Sequence, residues 1–282
     1  MQYGCCLSAW TRGEATGQDV QVRLAGLLRQ IDTVFDAGFS FVELTVSSLM
    51  ALTEQEYDVV RTALSFAPLP IFACNSLIPE TLPIVGPQAD THALQAYMAR
   101  VVDRADGLGV QRLVFGSGRA RSAPAGFSRD QADAQIARFL EICQQETEGS
   151  DVMMVIEPLR SAESDILNTV VEAARWVERL GLSRVRLLAD TYHMYAQREP
   201  LAVLSQTAHL LSHIHVANKE ERRYPGFAPS DVGDMRDLLR VLKSTGYDQG
   251  VSVECHFEDF ALEVPRALAC LTEAEQALAS ES

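Results

Sequence analysis

Short apolar runs alternate with longer stretches of helical periodicity along almost the whole chain. The runs at Tyr3–Ala9, Phe41–Val46, Pro70–Ile78 and Arg112–Phe115 predict the first four strands. Between and after them, apolar positions recur with a helical period over about Val20–Ala37, Glu54–Ala67, Asp90–Leu108 and Asp130–Glu148. Gly38 and Gly109 follow two of these helices and act as stop signals. The second half repeats the rhythm. VMMVIEPL predicts a strand ending at Glu157, VRLLADTYH one ending at Asp190, LLSHIHVAN one ending near His215, and GVSVECHF one ending at Glu254. Helices are expected at about Asn168–Leu180, Pro200–Ala208, Asp234–Ser244 and Leu262–Leu278.

Eight strand–helix units of this kind predict a single (β/α)8 TIM barrel of the α/β class. An open doubly wound sheet would usually carry a glycine-rich nucleotide turn after its first strand, and GCCLSAWTRGEATG holds no GxGxxG. No linker, charge block or low-complexity tract interrupts the alternation, so one domain is expected over residues 1–282.

In a barrel of this type the chemistry sits at the C-terminal ends of the strands. Glu157, Asp190, His215 and Glu254 are placed there by the alternation, about one strand–helix unit apart. Taken singly, a strand-end carboxylate is an ordinary helix cap or loop ion pair. A lone histidine is an ordinary hydrogen-bonded core residue. Four such residues on four successive strand ends point instead to one divalent-metal site. Three oxygen donors and one nitrogen suit Mn²⁺, with Mg²⁺, Co²⁺ and Zn²⁺ as alternatives. No cysteine stands among them, which argues against a structural zinc site.

Charge and cysteine usage narrow the picture further. The 38 acidic residues exceed the 24 basic ones, for a net charge of −14, which disfavours nucleic acid or an anionic membrane as partner. The six cysteines show no CxxC pair and read as reduced, mostly buried thiols of a cytoplasmic protein. MQYGCCLSAW lacks the pattern of a signal peptide, and no apolar run is long enough to span a bilayer.

EPLRSAE, ADTYHM, HIHVAN followed by Arg222 and Pro225-Gly226, and VSVE resemble the xylose isomerase-like TIM barrel superfamily. Within it, NSLIP, VGP and VFGSGRAR extend the similarity to the sugar phosphate isomerase/epimerase and ketose 3-epimerase branch. The resemblance implies a small-molecule carbohydrate substrate. It also implies that Glu157 and Glu254, besides holding the metal, act as the acid/base pair that moves a proton through an enediolate. It further implies substrate-binding roles for Glu163, His193 and Arg222. Asn75 and Glu43 end strands three and two and are expected to face the pocket; a homo-oligomer is compatible with all of this.

Several points stay open. Arg119 or Arg121, in GSGRARSAP, sits where a barrel could bind an anion or where a tight turn carries solvated charges. His213 shares its strand face with His215 and reads as a packed core histidine. Relatives often carry Asn where Arg160 stands, so Arg160 signals a charged substrate group or an internal ion pair. The alternative activities are a lyase acting on an oxidised sugar or glycoside, and an endonuclease IV-like hydrolase. The latter needs zinc-binding histidines on the earlier strands, which CNSLIP and FGSG lack.

Overall fold

The computed structural model describes residues 1–7 and 20–281. Eight parallel strands close into a barrel in chain order. They are β1 (Gln2–Cys6), β2 (Phe41–Thr45), β3 (Ile71–Asn75), β4 (Arg112–Phe115), β5 (Met153–Ile156), β6 (Val185–Asp190), β7 (Leu211–Val216) and β8 (Gly250–Val253). The ring is closed by β1 pairing with β8, Gln2 beside Gly250 and Cys5 beside Val253. Ser8 and Ala9, the last residues of the expected first strand, lie outside the described residues.

Long helices between the strands bury one apolar stripe each against the outside of the barrel. The first, Val20–Ala37, buries Leu24, Leu27, Ile31 and Val34, and Gly38 follows it with φ of +98°. The helix Glu54–Leu64 opens with a reciprocal capping box between Thr53 and Glu56. The helix Phe260–Ser280 holds Pro265 in its second turn and still buries Val264, Ala267, Leu271, Ala274 and Leu278.

The outward faces of the strands and these helices form one continuous apolar core. Inside the ring, Val114, Val155 and Leu188 make a small apolar cluster of their own. The other side of the lumen is polar, with Glu43, His213, His215 and Ser252 all fully buried.

Three short helices follow strand ends where loops are expected. Val46–Met50 follows β2 under a Thr45 cap, Gly118–Arg121 follows β4, and Thr191–Ala196 follows β6 under an Asp190 cap. At four to six residues each, they are too short to show a helical period in the sequence. Glu157 and Glu254 fall one residue beyond β5 and β8, yet their N–H groups continue the ladder, donating to Phe115 O (3.1 Å) and Val216 O (3.0 Å).

Candidate metal centre

Four successive strand ends bring Glu157, Asp190, His215 and Glu254 to one point. One donor atom from each lies within 4.8 Å of all the others. The first three side chains are buried and the fourth is partly exposed. Each is aimed by local structure. Asp190 caps the helix after β6, and its Oδ1 accepts from Tyr192 N at 2.7 Å, which turns Oδ2 toward the site. Glu157 lies against Gly116, where a Cβ would collide with its Oε2 and push the carboxylate aside. Asn75, at the end of β3, donates to Glu254 Oε1 at 2.9 Å.

Arg222 donates to Glu254 Oε2 and to Asp190 Oδ2 (3.4 Å for the latter). Its backbone has φ of +54°, held by a turn in which Asn218 Oδ1 accepts from Glu220 N and Glu221 N. The guanidinium groups of Arg160 and Arg222 each lie 5.1 Å from the centroid of the Tyr192 ring. Arg160 also pairs with Glu163 at 2.7 Å and donates to Tyr192 Oη at 2.6 Å. Of the two readings of Arg160, the structure shows the internal ion pair.

His193 is buried, and its Nδ1 accepts from Arg160 N at 3.3 Å. That bond leaves the ring proton on Nε2, which points toward Asp190 Oδ2 (3.6 Å) and Glu157 Oε1 (4.0 Å).

Three carboxylates this close repel one another, and burial adds to the cost of their charge. Burial pushes the Glu157 carboxyl up, and pushes Asp190 up to about 6 against the pull of His193 and Arg222. Burial would also raise Glu254, but His215 and Arg222 hold it below the usual carboxylate range. His215, which burial alone would lower, is pushed well above its ordinary value by Glu43 and Glu254.

The donor chemistry fits a divalent cation. Glu157 Oε1 and His215 Nδ1 are buried polar atoms without a hydrogen-bond partner, and both face the cluster. Unpaired buried polar atoms are rare unless a ligand satisfies them. The carboxylates and imidazole supply three oxygens and one nitrogen, a set suited to Mn²⁺-class ions.

The cluster opens into a cavity of about 610 Å³. Glu157, Glu254, His193, Arg222, Glu163 and Asn75 all line it. The expectation for Glu43 differs from what is found. It is absent from the cavity wall and lies fully buried beneath His215. Arg121 is no anion site either. It is fully buried and donates to the carbonyls of Phe115 (3.1 Å), Glu157 (2.9 Å) and Leu167 (3.1 Å), tying β4, β5 and the loop bearing Glu163 together. Burial pushes its guanidinium down to about 10. Arg119 is exposed and pairs with Glu80 at 2.8 Å. His213 is a packed core histidine, bonded to Glu43 and set against Phe41 and Phe72. All six cysteines are free, four of them buried.

Residues 31–277 match the family model of the xylose isomerase-like TIM barrel. The chain is 27% identical over 113 residues to 3-dehydro-D-guloside 4-epimerase of Escherichia coli K12, covering 40% of this chain and 43% of that protein. It is 29% identical over 114 residues to D-psicose 3-epimerase of Enterocloster bolteae, covering 40% and 38%. The matched segments thus span less than half the length of either relative. In architecture it is similar to D-allulose 3-epimerase from Methylomonas sp. in complex with D-allulose, with a TM-score of 0.78, 16% identity and 97% of each chain covered. Among the described residues, no helix is long and apolar enough to cross a membrane.

Proposed function

This chain belongs to the xylose isomerase-like TIM barrel family, and from that premise we propose that it is a divalent-metal-dependent epimerase or isomerase of a keto sugar. The observation that carries the reading is the convergence of Glu157, Asp190, His215 and Glu254, with Glu157 Oε1 and His215 Nδ1 left unpartnered, beside a cavity that Glu157 and Glu254 line. The epimerase names of the two relatives agree with it.

Those four residues would hold the ion, most plainly Mn²⁺ by their donor types. Once bound, a divalent ion supplies Lewis-acid polarisation of a carbonyl and its neighbouring hydroxyl, which acidifies the carbon-bound proton between them. Glu157 and Glu254 arise from β5 and β8, with β6 and β7 between them on the barrel wall. One carboxylate removes the proton and the other returns one to the opposite face of the enediolate, which a single base cannot do. His193 offers its Nε2–H, and Arg222 its guanidinium, to substrate oxygens. Glu163, with one oxygen held by Arg160, presents the other as an acceptor for a hydroxyl.

The test is solvent exchange. The Mn²⁺-loaded protein is incubated in D₂O with a panel of ketoses and 3-keto glycosides, and deuterium is located by NMR. Deuterium beside the carbonyl of at least one substrate is expected, with a loss of about 10³-fold or more in Glu157→Gln and Glu254→Gln. No deuterium in any sugar of the panel would contradict the reading.

A further inference from the structure

Beneath His215 the barrel holds a glutamate that no substrate can reach. Glu43, on β2, is fully buried and stands outside the cavity wall. Its Oε2 lies 3.2 Å from His215 Nε2. Its Oε1 accepts from Ser252 Oγ and meets His213 Nε2. Ser252 and His215 are register partners on β8 and β7, so these contacts come from the barrel wall itself rather than from a loop.

A carboxylate in a barrel lumen costs several kcal/mol unless its partners satisfy it. Here Ser252, His213 and His215 converge on it, with the Cys6 thiol beside them, and His215 is the only imidazole among the four candidate ligands. A neutral imidazole has one lone pair to give to a metal and one N–H to place elsewhere. His215 Nδ1 faces the cluster, 3.6 Å from Glu157 Oε1 and 3.5 Å from Glu254 Oε2, and has no hydrogen-bond partner. Its Nε2 faces Glu43.

We propose that Glu43 is the positioning residue of the metal centre: its carboxylate takes the Nε2–H of His215, fixes the ring plane, and so leaves Nδ1 as the lone pair aimed at the ion. The negative charge behind the ring also makes Nδ1 a stronger donor. Ser252 and His213 hold the other oxygen of Glu43, which keeps the carboxylate from turning away. This inference rests on the metal-centre reading and goes beyond it by assigning a role to a residue outside the ligand set.

Glu43→Gln separates charge and hydrogen bonding from shape. The carboxylate is acceptor-only, whereas an amide brings one oxygen and two N–H donors. Its NH2 group must face either His215 Nε2 or the Ser252–His213 pair, so at least one of the contacts that now meet a carboxylate oxygen has to be rebuilt. Glu43→Asp keeps the charge but retreats by one methylene, so partial rescue is expected.

The experiment titrates Mn²⁺ alone into demetallated wild type, Glu43→Gln and Glu43→Asp by calorimetry. It also reads the His215 tautomer by ¹⁵N NMR in the Zn²⁺-loaded wild type. The proposal expects one ion per wild-type chain, affinity about 10–100-fold weaker in Glu43→Gln, and an intermediate value for Glu43→Asp. It expects the proton on Nε2 and the metal on Nδ1. Binding by Glu43→Gln within about 3-fold of wild type would overturn it, being below the usual effect of losing such a support. So would coordination through Nε2, or a second ion taken up by Cys6, Glu43 and His215, whose donor atoms also lie within 4.8 Å of one another. Wild type that binds no ion would instead sink the metal centre as a whole. If Glu43→Gln does not fold, the aspartate variant and the wild-type NMR still decide the matter.

Discussion

Two sides of the same lumen support the candidate centre in opposite ways. On β5 and β6, Glu157 and Asp190 stand one inward step above Val155 and Leu188, which belong to a dry apolar cluster with Val114. On β7 and β8, His215 and Glu254 stand one inward step above His213 and Ser252, which bond to a buried glutamate. The difference follows from the ligands. A carboxylate can be steadied from the side and from above: Tyr192 N holds Asp190, and Arg121 holds the Glu157 carbonyl. A buried imidazole that gives one nitrogen to a metal must satisfy the other from below. The polar wall serves the imidazole, and Val114, Val155 and Leu188 across from it pack like an ordinary barrel core.

The comparison breaks if the dry wall tolerates charge. Leu188→Asp places a carboxylate where no donors wait, and should cost about 3–5 kcal/mol in urea unfolding; a loss under about 1 kcal/mol would show the wall is not dry. Leu188→Ala should cost about 2–5 kcal/mol through the cavity it leaves. Its Mn²⁺ affinity should stay within about 3-fold of wild type, because only packing is removed. Arg121→Met removes a buried cation, offsetting part of the loss, yet leaves three carbonyls without their donor; a net cost of about 2–3 kcal/mol is expected. Because the Glu157 carbonyl is one of them, the same variant should bind Mn²⁺ more weakly, which calorimetry would read. Ser252→Ala is the mildest change, about 1 kcal/mol in stability for one lost hydrogen bond. It should nonetheless weaken Mn²⁺ binding more than Leu188→Ala does. The reverse order of affinities would erase the distinction between the two walls.

The strand-end residues were readable because each interrupts an apolar run with a single metal-capable side chain, in four runs that a barrel must bring together. The long helices are readable from their period and from stops such as Gly38 and Gly109, both at positive φ. The helix Glu54–Leu64 ends three residues before Ala67, where its sequence pattern runs out. The support of the site was harder to see. Glu43 sits in FVELT between residues that pack outward, and nothing local says whether its side chain meets solvent, substrate or a histidine 170 residues away. Only closure of the barrel decides it. Arg121, in a glycine-rich loop, carries the marks of an anion site, and its burial under three carbonyls is a tertiary fact. Tyr192 gives no signal of its contacts with two arginines, because these partners come from the loop after β5 and the turn after β7.

The central claim is that four strand ends make one divalent-metal site. Its most direct test is calorimetric titration of Mn²⁺ into the demetallated wild type beside Asp190→Asn, which keeps the shape of the residue and removes its charge. The account predicts one ion per wild-type chain and binding at least about 100-fold weaker in the variant, since a ligand carboxylate is lost outright. Absence of binding in the wild type, or equal binding by both proteins, would contradict it.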